Sequence, residues 1–333
     1  MPWQTPMAQT KAIRFHTTGG PEVLRLEDVE IGTPSAGEAL IRHTTVGVNY
    51  IDIYHRTGLY PVAGPPSGLG MEAAGVVEAV GPGVTDVAIG DRVAYAMSPI
   101  GAYTERRLMP VALLVRIPDG VSDEQAAAMM LKGLTAQYLL RRTHRVQPGE
   151  TILFHAAAGG VGLIACQWAK HLGARVIGTA GSDEKAALAL AHGCDEVIVY
   201  TRENFTDRVR TLTGGAGVPV VYDSVGKATF EGSLDCLAPL GLMVSFGNAS
   251  GPVPPVNLAV LAQKGSLFLT RPTLATYVAR REDLLAAAAE LFAVVASGAV
   301  KIHIGHRYPL AEAAAAHRDL EGRTTTGSIV LLP

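Results

Sequence analysis

The sequence predicts an α/β protein in two parts: a doubly wound parallel sheet and an irregular, β-rich partial barrel. Three observations predict it. Across residues 149–170 a short apolar run (151–154) leads into a glycine-rich turn and then a segment of helical periodicity. From about Val146 strand-like runs alternate with amphipathic stretches. Before about Leu131, Gly and Pro instead punctuate short β-like runs. At 333 residues two domains are the default, and 48% hydrophobic with 17% charged residues describe a chain with a large buried fraction.

In order along the chain, residues 1–10 lack the apolar core of a signal peptide and are expected to form a loose extension. Strands are expected at 12–15, 39–48, 73–80, 92–96 and 113–117. The clearest helix of this part starts at Ser122, whose hydroxyl precedes Asp123, Glu124 and Gln125, and runs to Tyr138 and beyond. Then come strands at 151–155, 175–179, 196–199, 218–222, 242–246 and 266–269, with helices at 162–172, 183–191, 205–212, 228–236 and 258–263. A long Ala/Leu helix is expected over 276–296. The tail reads as strand 301–304, helix 311–320 and strand 328–332, expected to rejoin the first sheet. The domains expected are therefore 1–131 with 300–333, and 132–299.

Glycines at 159, 160 and 162 let the chain turn sharply and approach a ligand closely, and the following helix aims free N–H groups and its positive dipole end at that turn. Placed after a strand, this is how a dinucleotide pyrophosphate is held, the Rossmann arrangement. The second strand ends in Ala180-Gly181-Ser182, with no carboxylate at its tip to read a ribose hydroxyl. Lys185 follows, and Tyr200 ends the next strand over the same expected pocket, which favours a 2′-phosphate and hence NADP(H) over NAD(H). Asp183 and Glu184 work against this, although Ser182 capping a helix with two acids in its first turn accounts for them. A solvated helix lysine is the plainer reading of Lys185.

The formal net charge is −2 without any Lys/Arg-rich block, so no nucleic-acid footprint is expected. No run of 18 apolar residues exists, and no membrane span is expected. Three widely spaced cysteines (Cys166, Cys194, Cys236) allow no disulfide framework, and a reducing cytoplasm is the expected compartment. The edge run 266–269, with Leu267, Phe268 and Leu269, would be an aggregation hazard in a monomer, so a homodimer through it is expected.

The segment from Gly149 to Lys170 resembles the signature of the zinc-independent, zeta-crystallin-like quinone oxidoreductases of the medium-chain dehydrogenase/reductase superfamily. Gly149-Glu150, Leu153, Ala157-Ala158-Gly159-Gly160, Gly162, Gln167 and Lys170 carry it. Gly19-Gly20-Pro21-Glu22-Val23-Leu24, Gly47-Val48-Asn49-Tyr50-Ile51-Asp52-Ile53-Tyr54, Gly68-Leu69-Gly70-Met71-Glu72, Tyr222-Asp223-Ser224-Val225-Gly226, Phe246-Gly247-Asn248 and Thr270-Arg271-Pro272 are similar to the same family. The resemblance implies a GroES-like first domain and NADPH-dependent reduction of a quinone in a cleft between the domains, by hydride or one-electron transfer. It also implies no metal: Asn49 and Met71 stand where zinc-dependent relatives place a cysteine and a histidine, and neither is a competent ligand here. His43, His55, His155, His303 and His306 show no metal-ligand spacing and read as packing or surface residues.

The roles that follow are the resemblance's. Asn49 and Lys132 would hydrogen-bond the nicotinamide–ribose region, and Tyr54 would line the substrate pocket and donate to a quinone oxygen. Asp52 would orient its neighbours; a general-acid role would need a raised pKa. Ala158, Gly159, Gly160 and Val161 would hold the pyrophosphate, and Gly181, Ser182, Lys185 and Tyr200 the adenosine phosphate. Phe246, Gly247 and Asn248 would border the nicotinamide; Arg271 and Arg323 would make phosphate or interdomain contacts. Plainer readings stand beside these: Tyr54 as a lining aromatic, Asn49 as a turn cap, Asp52 and Arg323 as an ion pair or separate surface charges, Phe246 as packing. The alternatives in function are an alkenal or enone reductase with the same cofactor, and a non-enzymatic crystallin or RNA-binding role.

Overall fold

The computed structural model describes residues 8–97 and 99–333, which divide into two compact units: Met1–Leu131 with Ile304–Pro333, and Lys132–His303. The first unit opens with β1 (Ala8–Phe15), β2 (Arg25–Ile31), β3 (Glu38–Val48), α1 (Tyr50–Thr57), β4 (Ser67–Gly68), β5 (Glu72–Val80), β6 (Arg92–Ala96), β7 (Arg106–Pro110) and β8 (Val115–Arg116). Helix α2 (Asp123–Tyr138) follows and continues into one π-type turn, Leu139–Thr143. Its start is the expected capping box. Gln125 N–H donates to Ser122 Oγ (3.1 Å), and Ser122 N–H donates to Gln125 Oε1 (2.9 Å).

Three expectations fail in this unit, each for a local reason. Residues 8–10 are strand, since β1 begins at Ala8 and pairs antiparallel with β2 from Ala8↔Ile31 to Arg14↔Arg25; the rest of the expected extension lies outside the described residues. Strands β2 and β7 lack a clear apolar alternation: β2 is mostly solvent-facing and rich in charges, and β7 starts with Arg106 and Arg107. The strand expected at 113–117 shrinks to a 3-10 turn, Val111–Leu113, and the two-residue β8.

The second unit runs β9 (Thr151–Phe154), α3 (Gly160–His171), β10 (Arg175–Ala180), α4 (Asp183–Ala191), β11 (Glu196–Val199), α5 (Phe205–Leu212), β12 (Val218–Asp223), α6 (Phe230–Cys236), β13 (Leu237–Ser245), α7 (Ala259–Gln263), β14 (Phe268–Thr270), α8 (Leu274–Tyr277) and α9 (Arg281–Ala296). Its six strands are parallel in the order β11-β10-β9-β12-β13-β14. That is the doubly wound Rossmann order, with its switch point between β9 and β12. Leu153, Ile177, Val221 and Met243 form the buried centre of one core cluster, as apolar runs covered by helices on both faces must. The single helix expected over 276–296 is two. Arg280 is extended (φ −96°, ψ 140°), its Nε donates to Asp283 (3.0 Å), and the acids Glu282 and Asp283 favour a fresh helix start at Arg281.

The chain ends with β15 (Ile304–Pro309), α10 (Ala313–Glu321) and β16 (Ser328–Leu332). The strand expected at 301–304 thus lies further on, where alternate residues of β15 face the protein. β16 runs parallel to β15 and antiparallel to β3, from Ile329↔Val48 to Leu331↔Val46, extending the sheet β15-β16-β3-β5-β6-β8, with β7 also paired to β3. A separate sheet holds β2-β1-β4. Phe15, Ile41, Leu69, Tyr95, Met109 and Leu331 share this unit's core. No helix among the described residues is long and apolar enough to cross a membrane.

Candidate active site

In the first unit, Asn49, Asp52 and Tyr54 come together because α1 starts immediately after the longest strand. Asn49 is the helix N-cap (φ −134°, ψ 154°), and its N–H donates to Asp52 Oδ2 (2.9 Å). The turn-cap reading of Asn49 therefore holds, through a capping box with Asp52. Its side chain makes a further bond: Nδ2 donates to the buried Glu72 carboxylate (2.7 Å), which also accepts the Leu131 N–H (2.7 Å). A carboxylate can only accept, so the amide nitrogen of Asn49 is assigned to this bond and its carbonyl oxygen to the capping box with the Asp52 backbone.

Asp52 Oδ2 also accepts the Tyr103 hydroxyl (2.9 Å), and Tyr103 in turn contacts His317 Nε2 (3.0 Å). Arg56 Nη1 lies 3.1 Å from His317 Nδ1, and Arg56 Nη2 donates to Glu321 (2.7 Å). Arginine has only donors, so His317 Nδ1 accepts, its proton sits on Nε2, and the chain runs one way: Arg56 to His317 to Tyr103 to Asp52. Burial, helped by the Arg56 charge, pushes His317 down to about 3, which keeps it neutral. Burial and the Asp52 carboxylate raise the Tyr103 phenol well above its ordinary value. Asp52 is thus an orienting acceptor. The ring of Tyr54 is buried, 5.0 Å edge-on from Tyr60 and 5.6 Å from Tyr50. Arg323, in a left-handed conformation (φ 57°) after α10, acts on Tyr50, partly offsetting the rise that burial gives its phenol.

In the second unit the remaining residues, Lys132 apart, line up along the carboxyl edge of the parallel sheet. Ala158 precedes the N-cap Gly159 (φ −80°, ψ 171°), and Gly160 and Val161 open α3. A glycine N-cap has no side chain to occupy the first-turn N–H groups, which leaves them to a ligand. Gly162 is obligatory here, because a Cβ would collide with the carbonyls of Ala156 and Ala157. Gly181 and Ser182 follow β10; Ser182 Oγ accepts the Lys185 N–H (3.3 Å), so Ser182 caps α4 and Lys185 lies in its first turn. A Cβ on Gly181 would meet Tyr200 Oη at 2.7 Å, which puts the Tyr200 hydroxyl over that strand end. Asp183, one of the two acids that work against a phosphate, is gripped by both terminal Arg202 nitrogens (2.6 and 2.8 Å). Phe246, Gly247 and Asn248 follow β13, with the Phe246 ring 5.9 Å from that of Phe154. Arg271 follows β14 and donates to the Ser245 carbonyl (2.9 Å). Lys132 is buried in α2, away from these strand ends in the chain.

The model of the alcohol dehydrogenase GroES-like domain matches residues 35–119, and that of the zinc-binding dehydrogenases matches residues 160–292. A quinone oxidoreductase of Pseudomonas aeruginosa is 58% identical over 97% of this chain and 99% of its own. Quinone oxidoreductase 1 of Escherichia coli is 52% identical over 96% and 99%. A crystal structure of the E. coli quinone oxidoreductase complexed with NADPH superposes with a TM-score of 0.96 at 51% identity, covering 97% of this chain and 100% of that one. The chain belongs to the zinc-independent quinone oxidoreductases of the medium-chain dehydrogenase/reductase superfamily.

The zinc-binding description of the second matching model does not fit the side chains present. Asn49 has its amide nitrogen committed to Glu72, Met71 is buried, and no group of three or more His, Cys, Asp or Glu among the described residues is placed to hold a metal ion. Five residues that bond or pack around Asn49, Asp52 and Tyr54 have no place among the site residues expected from the sequence: Arg56, Tyr60, Glu72, Tyr103 and His317. Glu72 had a signal, since it stands in the Gly70-Met71-Glu72 triplet beside a position that was read. Tyr103 and His317 had none, because they reach Asp52 only through the fold.

Proposed function

We propose that this protein reduces quinones with NADPH. The observation that carries the reading is the side-chain-free N-terminus of α3 at the end of β9, in a chain 51% identical to a quinone oxidoreductase crystallised with NADPH. When bound, NADPH supplies a hydride, and with one proton a quinone becomes a hydroquinone. A quinone is already a strong acceptor, so no Lewis acid is required; alignment of the partners in a dry site is the main demand.

The chain's residues divide the remaining work. Gly159, Gly160 and Val161 present main-chain amides to the pyrophosphate, with Ala158 leading into the turn. Lys185, Tyr200, Gly181 and Ser182 form the 2′-phosphate pocket; the Arg202–Asp183 pair supports this by cancelling one of the two opposing charges. Phe246, Gly247 and Asn248 border the nicotinamide, Lys132 and Asn49 serve its ribose end, and Arg271 and Arg323 are phosphate or interdomain contacts. Tyr54 donates a hydrogen bond to the quinone oxygen, and Asp52 holds the start of α1 in register.

Steady-state kinetics with NADPH and NADH against 1,4-benzoquinone, naphthoquinones and 2-alkenals tests the reading. NADPH with quinones is expected to give the highest kcat/KM; a protein inert to quinones would end it. The second reading, reduction of an electron-poor alkene, is favoured by one relative, a 2-haloacrylate reductase of a Burkholderia species, 48% identical over 96% of this chain. Preference for the alkenal arm would select it. The protein acts as a cytoplasmic homodimer without nucleic acid, supported by three buried free cysteines, the exposed edge strand β14 and a net charge of −2 lacking any basic run.

A further inference from the structure

His155 lies between β9 and the glycine turn and is fully buried, yet nothing proposed above uses it. Its Nδ1 is 3.0 Å from Thr179 Oγ1 on β10, and its Nε2 is 3.0 Å from Ser233 Oγ on α6. Ser233 Oγ donates to Asp223 Oδ2 (2.9 Å), as does Thr229 Oγ1 (2.7 Å). Asp223 Oδ1 accepts the N–H groups of Val225 (2.7 Å) and Gly226 (3.0 Å). On the other side, Thr179 Oγ1 accepts the Ala156 N–H (3.3 Å).

These contacts determine every proton in the chain. All four partners of Asp223 are donors, so the Ser233 hydroxyl proton is spent there and Ser233 Oγ must accept from His155 Nε2–H. Burial lowers the His155 pKa against the opposing pull of Asp223, and a neutral imidazole then accepts at Nδ1. The Thr179 hydroxyl donates to it, leaving a lone pair for the Ala156 amide. The chain therefore runs one way, Ala156 N–H to Thr179 to His155 to Ser233 to Asp223, across β10, β9, β12 and α6.

What it ends on is unusual. Ala156 is left-handed (φ 53°), a conformation in which glycine is at ease and alanine is not. Its carbonyl accepts the Gly159 N–H (2.9 Å) and sits against Gly162, so the Ala156 peptide sets the turn that starts α3. We propose that Thr179 and His155, backed by Ser233 and Asp223, are positioning residues that hold Ala156 left-handed and so keep the α3 amides in the shape that receives the dinucleotide pyrophosphate.

The proposal rests on the NADPH reading, and the test separates the two. NADPH Kd is measured by nucleotide fluorescence for wild type, Thr179→Val, Thr179→Ser and Thr179→Val/Ala156→Gly, with thermal melts to select folded protein. Thr179→Val is expected to raise Kd about tenfold, with KM for NADPH following, and kcat and KM for quinone nearly unchanged. Thr179→Ser keeps the hydroxyl and the affinity. Adding Ala156→Gly to Thr179→Val restores affinity, because glycine needs no restraint to adopt positive φ. In cofactor-free protein, hydrogen exchange over residues 155–162 should quicken in Thr179→Val alone. If Thr179→Val does not fold, Ser233→Ala, two links further back, replaces it with the same expected direction. Unchanged Kd in a folded variant, or failure of glycine to rescue, overturns the proposal while leaving the NADPH reading intact; a wild type that does not bind NADPH removes both.

Discussion

At the residue scale, the proposed preference for NADPH rests on charge placement. Lys185 lies in the first turn of α4 beside the strand end of Gly181, while Asp183 is neutralised by Arg202. Lys185→Glu is expected to lower the NADPH-over-NADH ratio of kcat/KM about tenfold or more, the worth of one charged hydrogen bond; an unchanged ratio would take Lys185 out of the phosphate pocket. Buried histidines make a second prediction. His43 donates from Nδ1 to the Thr104 carbonyl (2.7 Å) and meets the Tyr95 hydroxyl at Nε2 (3.0 Å), and burial pushes it down to about 3, like His317. Both stay neutral in the fold while the unfolded chain takes up protons near pH 6.5, so stability falls as pH drops from there towards 3. Each should cost about 2 kcal/mol between pH 7 and pH 5. Urea unfolding checks this, and His43→Gln should flatten the slope by one histidine's share.

At the element scale, local signals carried most of the information. The glycine turn, the Ser122 capping box and the Ser182 cap were all legible, because each needs only residues a few positions apart. Ser122→Ala should cost about 1 kcal/mol by thermal melt, with no change in quinone kinetics. The misses share one cause. The break between α8 and α9 depends on Arg280 leaving the helix to bond Asp283, and the solvent-facing β2 exists because β1 offers it a ladder. Neither alters the hydrophobic period that sequence reading follows.

At the scale of the whole molecule, β14 ends its sheet with Phe268 58% and Leu269 36% exposed. An apolar strand edge of this kind invites pairing with its own copy. Light scattering should report twice the chain mass at micromolar concentration, and Phe268→Glu should return it to one chain; a monomeric wild type would reject the dimer.

The sequence alone determined the alternation of strands and helices and the glycine-rich, side-chain-free turn between β9 and α3. These depend on local periodicity, turn chemistry and side-chain type, which the chain displays without folding. Only the tertiary structure decided that Asn49 gives its amide to Glu72, that Asp52 ends a chain beginning at Arg56 and His317, and that His155 holds Thr179. Those partners come from distant parts of the chain (Arg56 and His317 are 261 residues apart), and no local pattern records which donor will face which acceptor once both are buried.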